Sequence, residues 1–161
     1  MRRARAVVDR WLGGLVALLM GLSVLNVVWQ VFTRYALRSP SSYTEELARY
    51  LLIWVGLLGA AYAMGRGMHL AIDLVPSHLR EAGRRRLRIA AGLLVLAFAL
   101  SGMVYGGARL VWLTFALGQR SAALRIPLGC VYLAIPIAGL LMGFYAVAGI
   151  LAPPDPRRAD P

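Results

Sequence analysis

The sequence predicts an all-α, polytopic membrane protein of four transmembrane helices, with both termini on the cytoplasmic side. Three observations carry that prediction. Of the 161 residues, 60% are hydrophobic and only 16% are charged, with a mean hydropathy of +0.66. A water-soluble domain carries about 45–50% apolar and about 25% charged residues, so this chain lacks the polar surface to clothe a globule in water. The apolar residues are gathered into four long runs, and the 18 basic residues, all arginine, lie mostly between those runs and favour one side.

Crossing roughly 30 Å of hydrocarbon takes about 20 helical residues at about 1.5 Å each. The uncharged runs Trp11–Thr33, Ile89–Ala108 and Ile126–Pro154 hold 23, 20 and 29 residues and pass that test. Tyr50–Gly65 holds 16 and reaches spanning length when Leu47, Ala48 and Arg49 are added, because the arginine stem can snorkel to the interface. The expected helices are therefore about 11–33, 46–65, 88–109 and 127–151 of a single integral membrane domain covering 1–161, with a basic cytoplasmic loop over about 66–87. The lead "MRRARAVVDRW" has the charge of a signal peptide. Its apolar run is too long, however, and leaves through "VVWQVFTRY" without a small-residue cleavage site, so it is expected to stay as an anchor.

Charge fixes the expected orientation. Twelve arginines fall in the N-terminal lead, the segment between the second and third runs, and the C-terminal tail, against six on the other side (Arg34, Arg38, Arg49, Arg109, Arg120 and Arg125). The positive-inside rule puts the richer side in the cytoplasm, with "RRRLR" at Arg84–Arg88 against anionic headgroups of the lipid bilayer. The formal charge of +11 thus has a membrane explanation, and the absence of a basic-plus-aromatic recognition module argues against a nucleic-acid partner. The single cysteine, Cys130, cannot form an internal disulfide or a paired metal site and reads as a small packing residue. No cofactor is expected.

Each helix carries its own signals. In the first, Ser23, Asn26, Gln30, Thr33 and Arg34 fall within an arc of roughly 100°. A polar stripe is costly against lipid, so it should meet protein, either within this chain or on another subunit. In the second, Ser42 and Glu45 match a capping box, and Glu45 and Arg49 are spaced for an i,i+4 ion pair. Gly56, Gly59, Ala60 and Ala63 form a small-residue face that lets another helix approach closely. Tyr43, Tyr50 and Trp54 are expected on the opposite face near the interface, and "GRG" at Gly65–Gly67 suits a left-handed C-terminal turn. Gly102 and Gly106 give the third helix a GxxxG spacing, and "LVWLTFALG" would carry it past the bilayer or along its surface. In the fourth, Pro127 suits the first turn and Pro136 should kink the span.

Glu45 and Glu46 open the second helix, whereas His69 and Asp73 follow its far end, so roughly a membrane thickness separates them and they cannot form one acid–base site. Helix-start capping for the glutamates and a surface hydrogen bond for His69 with Asp73 are the structural readings; a place in a subunit interface is the alternative for each pair.

Together, "QVFTRYALRSPSSYTEELARYLLIWVGLLGAAYAMGRGMHLAIDL" and "IPLGCVYLAIPIAGLLMGF" resemble the small, DctQ-like membrane subunit of tripartite ATP-independent periplasmic (TRAP) transporters. The carrying residues are Arg34-Tyr35, Thr44-Glu45-Glu46, Trp54, Gly59-Ala60-Ala61, His69 with Asp73, and the Pro-aromatic-Pro pattern of the fourth helix. Tyr43 stands where the family often has tryptophan, and the middle loop is unusually rich in arginine. The resemblance implies a non-enzymatic inner-membrane subunit. It would scaffold a large TRAP membrane subunit that takes up organic acids, for example dicarboxylates, in a step driven by a cation gradient after delivery by a periplasmic substrate-binding protein. Arg34, Glu45, Glu46, Arg49, Gly56, Gly59, Ala60, His69 and Asp73 are the implied interface or docking residues. No G-x-x-x-x-G-K-[ST] loop occurs, in keeping with an ATP-independent machine.

Two rival readings fare worse. A self-contained four-helix efflux transporter needs an acid near the bilayer midplane, and every acid lies outside the four uncharged runs. A membrane-anchor subunit of a redox complex would hold haem between histidines on facing helices, but His69 and His78 are the only two and share one loop.

Overall fold

In the computed structural model, which describes residues 2–37, 41–66 and 81–151, four helices are long and apolar enough to cross a membrane. The first, α1 (Arg2–Tyr35), and the second, α2 (Ser42–Gly65), are unbroken. The third span is one continuous rod of three parts: α3 (Glu81–Phe98), a π-helical segment (Ala99–Gly106) and α4 (Gly107–Ala116). The fourth is α5 (Leu128–Tyr132) followed by α6 (Ala134–Leu151). Among the described residues there is no strand, only an isolated bridge between Arg120 and Pro127.

The helices run further than the apolar patterns predict. The basic lead belongs to α1, and the third span begins at Glu81 inside the expected loop and ends at Ala116 rather than near 109. Hydropathy marks what lipid covers, whereas a helix continues into the interface wherever its backbone bonds remain intact. His69 and Asp73 lie outside the described residues.

The spans pack as a row. α1 lies on α2, α2 on α6, and α6 on α3 and the π-segment. The fourth span is therefore central in space although last in sequence. Its interior is lined by residues without bulk: Ala134 and Ala138 are fully buried, as are Ala61 of α2 and Ala99 of the π-segment, and Leu58 is the largest fully buried side chain. Close backbone approach through small residues is how helices gain packing in lipid, where burial of apolar surface brings no hydrophobic gain. At Gly139, an added Cβ would sit 2.7 Å from Met103 Cβ and 3.1 Å from the Ala99 carbonyl oxygen.

That seam differs from the expected one. Gly102 and Gly106 of the GxxxG spacing are exposed, and Ala99, Met103 and Gly107 are buried instead. The wider i→i+5 turn of a π-helix brings residues four apart nearly into line, which an α-helix does not. Ala99, Met103 and Gly107 thus make one straight ridge against α6.

The fourth span is interrupted three residues upstream of Pro136, at Leu133. A proline cannot bond to the carbonyl four residues back and its ring crowds that turn, so the distortion appears on the N-terminal side. Pro127 has extended backbone (ψ 123°) and precedes the helix instead of opening it. Cys130 is exposed, contrary to its reading as a packing residue.

Candidate functional site

At one end of the row, α2 meets the connection between the third and fourth spans. Glu46 turns inward there. Its Oε1 accepts from the Tyr50 hydroxyl (2.7 Å) and the Ala122 N–H (3.1 Å), and its Oε2 from the N–H groups of Ala123 (2.9 Å) and Leu124 (2.8 Å). One carboxylate thus satisfies three backbone donors that have no helix to serve them. The connection is folded further by Ser121 N–H to the Ile126 carbonyl (2.9 Å) and Leu128 N–H to the Gln119 carbonyl (3.1 Å). It contains two left-handed residues, Gly118 (φ 59°) and Arg125 (φ 54°). Arginine rarely adopts that conformation, and the bonds from Glu46 to the three residues just before it hold the turn that requires it. The Ser121 hydroxyl is buried and closes no hydrogen bond among the described residues.

Glu45 faces the other way. With Arg49 it forms the expected i,i+4 ion pair at 3.6 Å, but both side chains are 68% exposed, and an exposed pair contributes little to stability. The capping box does not form: Ser41 is the residue before the helix, it makes no side-chain cap, and Thr44 Oγ1 donates to the Ser41 carbonyl instead (2.8 Å). Tyr50 and Trp54 also depart from expectation. Tyr50 serves Glu46, and Trp54 packs on the core, leaving Tyr43 as the exposed interfacial ring.

Along α2, Glu45, Arg49, Leu52, Gly56 and Ala60 are all exposed. At about 100° per residue they fall within an arc of roughly 80°, so they make one continuous outward stripe. Nothing lies within 4 Å of a Cβ placed on Gly56. The opposite face, with Thr44, Leu58, Ala61 and Gly65, is buried in the row. Gly59 sits at the border, with Val16 Cγ1 of α1 4.0 Å from its would-be Cβ. Arg34 is exposed at the end of α1. The expected interface set therefore divides: Glu46 and Gly59 serve this chain's own packing, whereas Glu45, Arg49, Gly56 and Ala60 share a face that no other part of the described chain covers.

Two residues of the polar stripe of α1, Asn26 and Thr33, are buried and bonded within the chain. Asn26, 9% exposed, donates its Nδ2–H to the Thr44 carbonyl at 2.8 Å, and Thr33 donates to the Gln30 carbonyl at 3.0 Å. At the far end of the row, Arg5 donates to the Gly65 carbonyl, a cation on the free C-terminus of α2. Tyr145 donates to Asp9 Oδ1 at 2.5 Å. A Cβ on Gly65 would stand 2.5 Å from the Tyr145 ring, so this glycine makes room for a ring. It does not form the expected left-handed turn, and Arg66, the residue after the helix, has φ −75°. Asp9 and Tyr145 were missing from the sequence-derived set, although a lone acid in a basic lead and a hydroxyl inside an apolar span each signal a partner.

Among the described residues, no three His, Cys, Asp or Glu side chains gather in a way that could hold a metal ion. The arrangement is one of packing surfaces and staples. The family model for the DctQ component of tripartite ATP-independent periplasmic transporters matches residues 23–153. The chain belongs to that family. It is similar to the sialic acid TRAP transporter small permease protein of Vibrio cholerae, 32% identical over 131 residues, covering 78% of this chain and 71% of that one. It is also similar to the ectoine small permease protein of Halomonas elongata (28% identical, 84% of this chain and 72% of that one). A third relative is the C4-dicarboxylate small permease protein of Rhodobacter capsulatus (34% identical, 63% and 44%). A stretch of 88 residues is 32% identical to part of the sialic acid TRAP transporter permease protein of Haemophilus influenzae, 14% of that protein. As a TRAP small permease, the chain is a multi-pass membrane component of a transporter.

Proposed function

We propose that this TRAP small permease is a fixed, non-enzymatic scaffold that clasps the large membrane subunit through the outward stripe of α2. The large subunit then carries a carboxylate-bearing solute inward on a cation gradient. The observation that supports this reading is the stripe itself. Small residues at Gly56 and Ala60, flanked by Leu52 and capped by the Glu45–Arg49 pair, form a seam for close helix contact with no partner among the described residues. The row architecture leaves such flanks open, where a closed bundle would bury them.

Relatives of the same family are named for sialic acid, C4-dicarboxylates and ectoine, which share a carboxylate and little else. The Glu46 end, with exposed Arg49, Arg120 and Arg125, faces the periplasm, where it supports docking of the substrate-binding protein. Both termini lie in the cytoplasm of an inner-membrane protein, in keeping with the arginine asymmetry. His69 and Asp73 contribute at the cytoplasmic side of the same assembly.

The test is reconstitution. Proteoliposomes holding the large subunit and the binding protein should take up solute only when this chain is present. Uptake undiminished by its omission would overturn the scaffold role. Cysteines placed at Gln119 and Ala82 should label from opposite sides of intact cells, and labelling from one side would overturn the orientation.

A further inference from the structure

The Asp9 end of the row carries a second feature that the scaffold role does not use. A groove of about 480 Å³ opens between the first turns of α1 and the last turn of α2, lined by Asp9, Arg10, Gly13, Gly14, Tyr62 and Arg66. Its two ends differ chemically. Arg10 and Arg66 are both exposed, and among the described residues neither pairs with a carboxylate; Asp9 Oδ1 accepts from Tyr145. Arg66 also stands over the Tyr62 ring, 5.8 Å from its centroid, which fixes the side of α2 it occupies. The other end lies inside the apolar run that starts at Trp11. The Tyr62 ring fills the space beside Gly13, where a Cβ would stand 3.0 Å from it, whereas a Cβ on Gly14 would meet nothing within 4 Å, so the wall is bare at Gly14.

The geometry points to a binding site for the headgroup and upper chain of an anionic glycerophospholipid. Two guanidinium groups offer forked donors of the kind that suit phosphate oxygens. They sit where α1 passes from its charged lead to its apolar run, the depth at which lipid phosphates reside. The wall made by the Tyr62 ring and the bare Gly14 continues from the cations into the hydrocarbon layer, so the groove fits a ligand with a phosphate at one end and an acyl chain at the other. A soluble phosphate would use only the arginines. A zwitterionic lipid would bring its own cation against them. The lipid would fill the angle between α1 and α2 and brace the outermost helix of the row, which among the described residues packs chiefly on α2, with the Asp9–Tyr145 bond at this end.

The experiment is native mass spectrometry of the chain purified with its large subunit from nanodiscs containing phosphatidylglycerol or phosphatidylcholine. The expected result is retention of phosphatidylglycerol and not phosphatidylcholine. With Arg10→Gln and Arg66→Gln together, retention should weaken roughly thirtyfold, from two lost basic contacts. Gly14→Leu, which fills open space and leaves the helix intact, should displace the lipid without touching either charge. Retention unchanged in both variants overturns the site. So does competition by inorganic phosphate as effective as that by phosphatidylglycerol, which would show that the apolar wall contributes nothing. A cysteine at Gly14 that crosslinks to the large subunit, with no lipid retained, would assign the groove to protein and equally overturn the proposal.

Discussion

Gly139→Ala probes the seam on which the row depends. The new Cβ would stand 2.7 Å from Met103 Cβ, 0.7 Å inside the 3.4 Å at which ordinary contact begins, and 3.1 Å from the Ala99 carbonyl oxygen. Neither neighbour is the far end of a flexible side chain. Both are fixed to the backbone of the π-segment, so relief requires the third and fourth spans to part. Overpacking of this kind costs about 1–3 kcal/mol. Against it stands the gain of replacing a helical glycine by alanine, roughly 0.5–1 kcal/mol. Destabilisation should win by about 1 kcal/mol. Gly21→Ala, on the exposed face of α1 with nothing within 4 Å of its Cβ, keeps only the gain and should stabilise by up to about 1 kcal/mol. Equilibrium unfolding in bicelles, followed by loss of helical circular dichroism, reads the difference between the two variants. Equal stabilities would refute the argument that this seam is closed to a methyl group.

Three further outcomes follow from the same contacts. Glu46→Gln should speed hydrogen exchange at the amides of Ala122, Ala123 and Leu124 while leaving the helical spans protected; unchanged exchange there would remove Glu46 from its place as the organiser of the connection. Asn26→Ala should destabilise the α1–α2 pair by about 0.6 kcal/mol, and at most about 1.7, the range found for hydrogen bonds between helices in membranes; a double-mutant cycle with Tyr145→Phe should show the two contacts to be additive, since they lie at opposite ends of α1. Tyr145→Phe alone should cost about 0.5–1.5 kcal/mol through the lost bond to Asp9, read in the same unfolding assay.

Much of this architecture is legible in the sequence, and the exceptions share a cause. Hydropathy finds the four spans because lipid demands apolar length, and the polar stripe through Asn26 and Thr33 marks the inward face of α1 because lipid would not tolerate it. Sequence spacing assumes α-helical periodicity, however. The π-segment changes the period locally, so the visible Gly102–Gly106 pair faces outward while Ala99, Met103 and Gly107 form the ridge. Motifs that name one role for a residue also mislead where two are available. Ser42 and Glu45 fit a capping box, yet Thr44 bonds the Ser41 carbonyl. Gly65 fits a left-handed turn, yet it stays helical to admit Tyr145. The job of Glu46 depends on residues 76 to 78 positions away, and no local pattern encodes such a contact.

The central claim is that the Gly56–Ala60 face of α2 holds the large subunit, and it can be measured directly. The tagged chain should bring down the large subunit in mild detergent. Gly56→Leu should abolish that recovery while the variant chain keeps normal helicity and unfolding stability, since among the described residues nothing lies within 4 Å of its Cβ. Gly21→Leu, equally unobstructed but on α1, should leave recovery intact. Full recovery with Gly56→Leu would contradict the account.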